Sequence, residues 1–308
     1  VSRQFSIPDS LVRTRTELHG SAGADWARQL PALLADCERK WSLKIGSPFL
    51  RLSYNYAAPA LRADGVDVVV KVCFPDREFR TEVEALRLYA GRGAVELLDV
   101  DLERGVMLLE RLKPGTMLLS VEDDEAATSI AAAVMRQLWR PVPEEHTFPS
   151  IADWGKGFER MRAYFGGTTG PFPQKLTDDA EQLFADMLNS MEEPVVLHGD
   201  LHHFNILAAE RQPWLAIDPK GVVGEPAYET GALLRNPWPE LRSRPDPKRT
   251  LARRVDQLAD ELGLDRRRIL AWGLGQAVLS AWWLVEDHGD DSWKTAIEFA
   301  EMLASIKV

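Results

Sequence analysis

The tightest constraint on this chain lies between Pro194 and Gly221, PVVLHGDLHHFNILAAERQPWLAIDPKG. Three short apolar runs follow one another there: Val195-Val196-Leu197, Asn205-Ile206-Leu207 and Trp214-Leu215-Ala216-Ile217. Each is too short for a helix, and Gly, Pro or charged residues separate them, so they read as small strands. Polar side chains sit at their ends. His198-Gly199-Asp200 follows the first run, Asn205 opens the second and Asp218 closes the third. Small strands of this kind present Asp200, Asn205 and Asp218 around one cleft.

Two carboxylates and an amide so placed suit phosphoryl transfer from a nucleotide. One carboxylate orients the acceptor hydroxyl or amine and takes its proton. The other, with the amide oxygen, holds Mg²⁺ against the phosphates, because catalysis here is mostly positioning and charge neutralisation. His198-x-Asp200-x-x-x-x-Asn205 followed by Asp218 has the order of a kinase catalytic loop and its metal aspartate. At this point the chain resembles the aminoglycoside phosphotransferase family, whose loop reads H-G-D-x-x-x-x-N and whose metal motif is I-D rather than D-F-G. HGDLHHFNIL, AIDPKGVVGEPAYE and ALLRNP are most similar to its streptomycin 6-phosphotransferase and hydroxyurea phosphotransferase branch.

The resemblance implies an α+β, bilobal protein-kinase-like fold, with a small antiparallel-sheet N-lobe and a mostly helical C-lobe. It places a nucleotide-binding lobe over 1–111 and a catalytic, substrate-binding lobe over 112–308. It implies ATP and Mg²⁺, with Asp200 as catalytic base, Asn205 and Asp218 as metal ligands, and His198 as a brace for the loop. Glu229, in the helix that begins near Gly224, would brace the loop as well. The activity it implies is transfer of the γ-phosphate to a hydroxyl of an aminoglycoside, with streptomycin first and hydroxyurea, an amino sugar or another metabolite as alternatives.

In the N-terminal part, residues 1–24 read as an irregular lead-in and Asp25–Lys40 as a helix that Asp25 caps. Strand signals follow at 49–52, 54–56 and 66–70, the last ending on Lys71. The resemblance gives Lys71 the α- and β-phosphates; on the residues alone it is equally a surface lysine at a strand end. Glu78–Ala90 reads as a helix with Phe79, Val83, Leu86 and Tyr89 on one face. Glu78 and Glu82 lie one turn apart on it, and the resemblance favours Glu82 as the partner of Lys71. No G-x-G-x-x-G loop precedes Lys71 and no P-loop occurs, so the turn around 53–56, with the Ser53 hydroxyl, is the expected phosphate cover. A hairpin spans 95–110, and Glu110–Gly115 reads as a hinge. In the resembling family such a hinge recognises adenine through its backbone, which nominates Glu110 and Leu112.

Beyond residue 122 the pattern is helical, with segments at 123–139, 151–165, 177–191, 251–262, 266–286 and 292–306. Trp272, Trp282 and Trp283 lie on the fifth of these, which ends in Glu286-Asp287. Acids near aromatic walls can hold substrate guanidinium or ammonium groups. The same two residues are equally a solvated helix end.

Composition narrows the partners. A formal net charge of −10 argues against nucleic acid, whose phosphates demand a basic surface, and suits a cationic small molecule. Cys37 and Cys73 are too few for a disulfide framework. The apolar region 269–285 is interrupted by Gly273, Gly275 and Gln276 and reads as a buried helix rather than a membrane span, giving a cytoplasmic protein. Two other classes stay open: a metallohydrolase on His198, Asp200, His202 and His203, and a nucleotide-binding pseudokinase.

Overall fold

The computed structural model describes residues 5–50, 52, 54–288 and 291–307. Two compact units make up the chain, one running to Gly91 and resuming over Val95–Lys113, the other formed by Arg92–Ala94 and everything from Pro114 onwards.

The first unit opens with α1 (Asp9–Lys40), a helix kinked at Gly20. An irregular start and a cap at Asp25 are therefore corrected: the helix begins sixteen residues earlier, and Asp25 sits within it. Tertiary anchors account for this. Leu11 is fully buried, Ser10 Oγ donates to the Leu52 carbonyl (2.7 Å), and Arg15 donates to the Tyr54 carbonyl (2.5 Å) and Asn55 Oδ1 (2.7 Å). Glycine and proline at 20, 23 and 31 hide the helix from a reading of local propensity.

Five antiparallel strands follow: β1 (Leu43–Ile45), β2 (Tyr56–Arg62), β3 (Asp67–Val72), β4 (Leu97–Asp101) and β5 (Val106–Glu110), in the order β1-β2-β3-β5-β4. None of the described residues between Gly46 and Asn55 is in a strand, so the expected strands at 49–52 and 54–56 give way to β2. Its Ala57-Ala58-Pro59-Ala60 core has weak strand propensity. Pro59 falls where the β1 ladder ends at the Ile45–Ala60 pair, and its carbonyl still accepts the Gly46 N–H (2.6 Å). The apolar face of the sheet (Tyr56, Ala58, Val68, Val70, Val72, Val106, Leu108) packs against Leu11, Trp26, Leu30, Leu34 and Cys37 of α1. Helix α2 (Arg77–Tyr89) is capped by Asp76, which accepts from the Phe79 N–H, and ends at Ala90 in the left-handed region.

The second unit holds two three-stranded sheets. One is β10 (Trp214–Ala216), β9 (Ile206–Ala209) and β6 (Pro114–Met117); the other is β11 (Val222–Gly224), β8 (Val195–Leu197) and β7 (Arg140–Pro141). The helices are α3 (Asp124–Leu138), α4 (Ile151–Tyr164), α5 (Gln174–Asn189), α6 (Pro226–Leu234), α7 (Trp238–Arg242), α8 (Pro247–Leu262), α9 (Arg266–His288) and α10 (Trp293–Ala304). Among the described residues, helix α9 is long and apolar enough to cross a membrane. It is the core of this unit instead, with Trp272, Val278, Leu279 and Trp282 buried against α4, α5, α6, α8 and α10.

Candidate active site

In the second unit, β8 delivers His198, Gly199 and Asp200 to its C-terminal end, while the β9–β10 hairpin carries Asn205 and Asp218. The two edges are tied together by His198. Its imidazole is fully buried; Nε2 donates to the Ile217 carbonyl (2.8 Å) and Nδ1 accepts the Asp200 N–H (3.2 Å). That pattern requires the neutral ring with its proton on Nε2. Burial enforces the same state, pushing the imidazole down to about 4.

Glu229, on α6, grips the loop from below. Its carboxylate accepts the backbone N–H groups of His198 (2.6 Å) and Gly199 (2.9 Å). Burial raises its carboxyl to about 7, against the pull of those two donors. Gly199 has φ +85, and a Cβ there would lie 2.8 Å from Trp154 Cη2 and 3.0 Å from Val222 Cγ1. Only glycine satisfies both the backbone and the space.

Asp200 itself keeps 28% of its side-chain surface open. Its Oδ1 accepts from Arg235 Nη2 (3.2 Å), and its Oδ2 lies 3.5 Å from His202 Nε2. Burial opposes ionisation, but His202, Arg235 and His198 outweigh it and hold the carboxyl well below the usual carboxylate range. The group is a poor bulk base and a strong, fixed hydrogen-bond acceptor.

Asn205 is oriented by its neighbours. Its Nδ2 donates to the Asp200 carbonyl (3.0 Å), and its own carbonyl accepts the Ile217 N–H (2.9 Å). With the NH₂ end committed to Asp200, Oδ1 is the end available to a ligand. Asp218, immediately after β10, adopts φ +60, a left-handed conformation uncommon for a residue with a side chain. Such strain is kept where the surroundings over-determine it, as at functional sites. An amide oxygen and a carboxylate form a hard, all-oxygen donor pair that fits Mg²⁺ completed by phosphate oxygens and water.

In the first unit, Lys71 lies on β3 between Ala57 and Met107. Its Nζ meets Glu82 Oε1 at 2.5 Å, and both side chains are over nine-tenths buried. Of the two carboxylates one turn apart, Glu82 faces the sheet and Glu78 faces solvent. Glu110 ends β5, its N–H donating to the Glu96 carbonyl (2.9 Å), and Leu112 is buried just beyond it. Ser53 lies outside the described residues.

At the end of α9, Glu286 is already engaged: Arg160 of α4 donates to both its oxygens (2.7 and 3.1 Å). Asp287 is exposed. Among the described residues no group of three or more His, Cys, Asp or Glu side chains is arranged to hold a metal ion. The catalytic-zinc pattern of three protein ligands is therefore not met by His198, Asp200, His202 and His203. Arg235 is the site residue that no motif assigned a role. Its only signal in sequence was its place in ALLRNP.

Solved structures share this fold. The aminoglycoside phosphotransferase APH(4)-Ia superposes with a TM-score of 0.64 at 14% identity, over 90% of this chain and 99% of that one. The fold is thus protein-kinase-like. Sequence comparison is narrower. Streptomycin 6-kinase of Streptomyces glaucescens is 33% identical over 98% of both chains. Hydroxyurea phosphotransferase of Kitasatospora aureofaciens is also 33% identical, over 93% of this chain and 82% of that one. The chain belongs to the aminoglycoside/hydroxyurea antibiotic resistance kinase family, whose profile matches residues 51–288.

Proposed function

We propose that this kinase transfers the γ-phosphate of ATP to a hydroxyl of streptomycin, as a 6-phosphotransferase acting in the cytoplasm, where ATP is available. The observation that carries the chemistry is the Asp200 carboxylate, part-exposed, ionised and fixed by Arg235 beside an oriented Asn205. The near full-length likeness to streptomycin 6-kinase carries the acceptor.

In this reading the acceptor hydroxyl donates to Asp200, which orients it in line with the γ-phosphorus. The new O–P bond forms as the bond to the β,γ-bridging oxygen breaks, ADP leaves, and the hydroxyl proton passes to Asp200 and then to solvent. Asp200 does not need a near-neutral pKa, because in a loose transition state the proton moves late and orientation matters most. Asn205 and Asp218 hold Mg²⁺, which supplies charge neutralisation and phosphate alignment. Lys71, steadied by Glu82, binds the α- and β-phosphates, while Glu110 and Leu112 offer backbone to adenine and Ser53 covers the phosphates. The lobes so assigned span 1–111 and 112–308. Asp287 is the proposed contact for a substrate cation. Glu286, which pairs with Arg160, is the second proposed contact.

The equal identity to the hydroxyurea enzyme supports a second acceptor reading. Product mass after incubation with ATP and Mg²⁺ tests both, with streptomycin, hydroxyurea and several amino sugars side by side. Phosphorylated streptomycin supports the first reading; a hydroxyurea product with streptomycin untouched overturns it in favour of the second. Nucleotide binding with no product on any acceptor would point to a pseudokinase.

A further inference from the structure

Helix α6 holds the catalytic loop at two points. Glu229 takes the backbone amides before Asp200, and Arg235, which caps the helix, takes the Asp200 side chain. Arg235 is itself propped. Its Nη1 donates to Gln276 Oε1 (2.9 Å), while Gln276 Nε2 donates to the Tyr228 carbonyl (2.5 Å). Both ends of the Gln276 amide are thereby committed, and the orientation of the guanidinium follows.

Gln276 is 3% exposed, in the middle of the apolar helix α9. A buried amide there costs desolvation that an aliphatic side chain would not, so its presence calls for a compensating role. The packing makes specific room for it: a Cβ on Gly231 would fall 2.4 Å from Gln276 Oε1. Tyr228, Gly231 and Arg235 all belong to one stretch of α6, so the glutamine runs along that helix and ends against the arginine.

The structure assigns Arg235, held by Gln276, as the positioning residue of Asp200. The guanidinium occupies one lone-pair direction of Oδ1 and restrains rotation of the carboxylate, with His202 on the side of Oδ2. The assignment rests on Asp200 being the carboxylate that orients the acceptor. Arg235 acts through Asp200 and binds neither substrate. Its loss shows in kcat rather than in either KM.

The test is steady-state kinetics on four variants of the full chain, with streptomycin or whichever acceptor the panel identifies. Arg235→Met is expected to lower kcat by about 100-fold, the cost of a small misplacement of a reacting group, with KM for ATP and acceptor within about two-fold of wild type. Arg235→Lys keeps the charge without the fork that spans Asp200 and Gln276, and is expected to recover only part of the loss. Gln276→Leu, which removes no charge, is expected to lower kcat by about ten-fold with both KM values unchanged. Because the two side chains act in series, Arg235→Met/Gln276→Leu should be no slower than Arg235→Met alone, a failure of additivity that marks one unit.

A kcat for Arg235→Met within about three-fold of wild type overturns the assignment. So does a loss confined to one KM, which would make Arg235 a binding residue, or full additivity in the double variant. Should Arg235→Met fail to fold, Gln276→Leu and Arg235→Lys decide, and normal kcat in both overturns it. Asp200→Asn, run in parallel, separates the two levels. If it keeps turnover, the reading of Asp200 falls; if it loses turnover while Arg235→Met does not, only this inference falls.

Discussion

His198→Gln offers a quantitative test of how the loop is held. The folded chain keeps this imidazole neutral down to about 4, chiefly through burial, whereas the unfolded chain takes up the proton near 6.5. Between those values the unfolded state binds more protons, so stability is lost as pH falls from 6.5 towards 4 and is unaffected above that window. At about 1.4 kcal/mol for each pH unit, the gap between 6.5 and about 4 corresponds to about 3 kcal/mol, most of it gone by pH 4.5. Geometry acts in the same direction as burial. A proton on Nδ1 would face the Asp200 N–H, which already donates to that atom.

Other groups titrate in the same range. Burial pushes His203 down to about 3, which acts in the same direction. Glu229, raised to about 7 by burial, acts oppositely, because the fold holds its proton where the unfolded chain has released it. Comparing variant with wild type at each pH cancels both. Urea unfolding followed by tryptophan fluorescence from pH 8 to 4.5 would measure the difference. At pH 8, His198→Gln should be the less stable protein: its amide nitrogen still donates to the Ile217 carbonyl, but nothing replaces Nδ1 as acceptor of the Asp200 N–H. By pH 4.5 that gap should close by about 2 to 3 kcal/mol. A gap that stays constant across the range would refute the reasoning.

Four further outcomes are expected. Asp200→Asn should keep ATP binding by calorimetry yet lose turnover by about 1,000-fold or more, since only the acceptor's orienting carboxylate is removed. Lys71→Met removes the buried cation that faces the Glu82 carboxylate, lowering stability by about 3 to 5 kcal/mol and weakening ATP binding; adding Glu82→Leu should restore much of the melting temperature but not the ATP affinity. Gly199→Ala must accept both φ +85 and a contact at 2.8 Å to Trp154, costing about 2 to 4 kcal/mol by chemical denaturation and displacing Asp200. Asn205→Ala and Asp218→Ala should each raise the Mg²⁺ concentration needed for half-maximal activity, and an unchanged metal requirement would count against their assigned role.

Much of the candidate site was legible in the one-dimensional chain because it is local. His198, Gly199, Asp200 and Asn205 fall within eight consecutive positions, and short strands bounded by Gly and Pro leave them little choice of placement. Helices α2, α3 and α4 were legible for the same reason: their apolar faces repeat at helical spacing, and Asp76, Asp123 and Ser150 cap them through their own side chains. The start of α1 was not, since Arg15 and Ser10 find their partners about forty residues away. Nor was β2, whose alanines and Pro59 carry no strand signal until β1 and β3 flank it.

The same division runs through the site. Sequence by itself determined which groups are present: a loop carboxylate, an amide, a second carboxylate after an apolar run, and a lysine at a strand end. Tertiary structure alone decided what those groups are: that His198 is neutral, that Asp200 is ionised and held by Arg235, that Glu286 is occupied by Arg160, and that a glutamine buried in α9 props the arginine. Protonation and orientation depend on burial and on partners from distant parts of the chain, and neither is a property of neighbouring residues in the sequence.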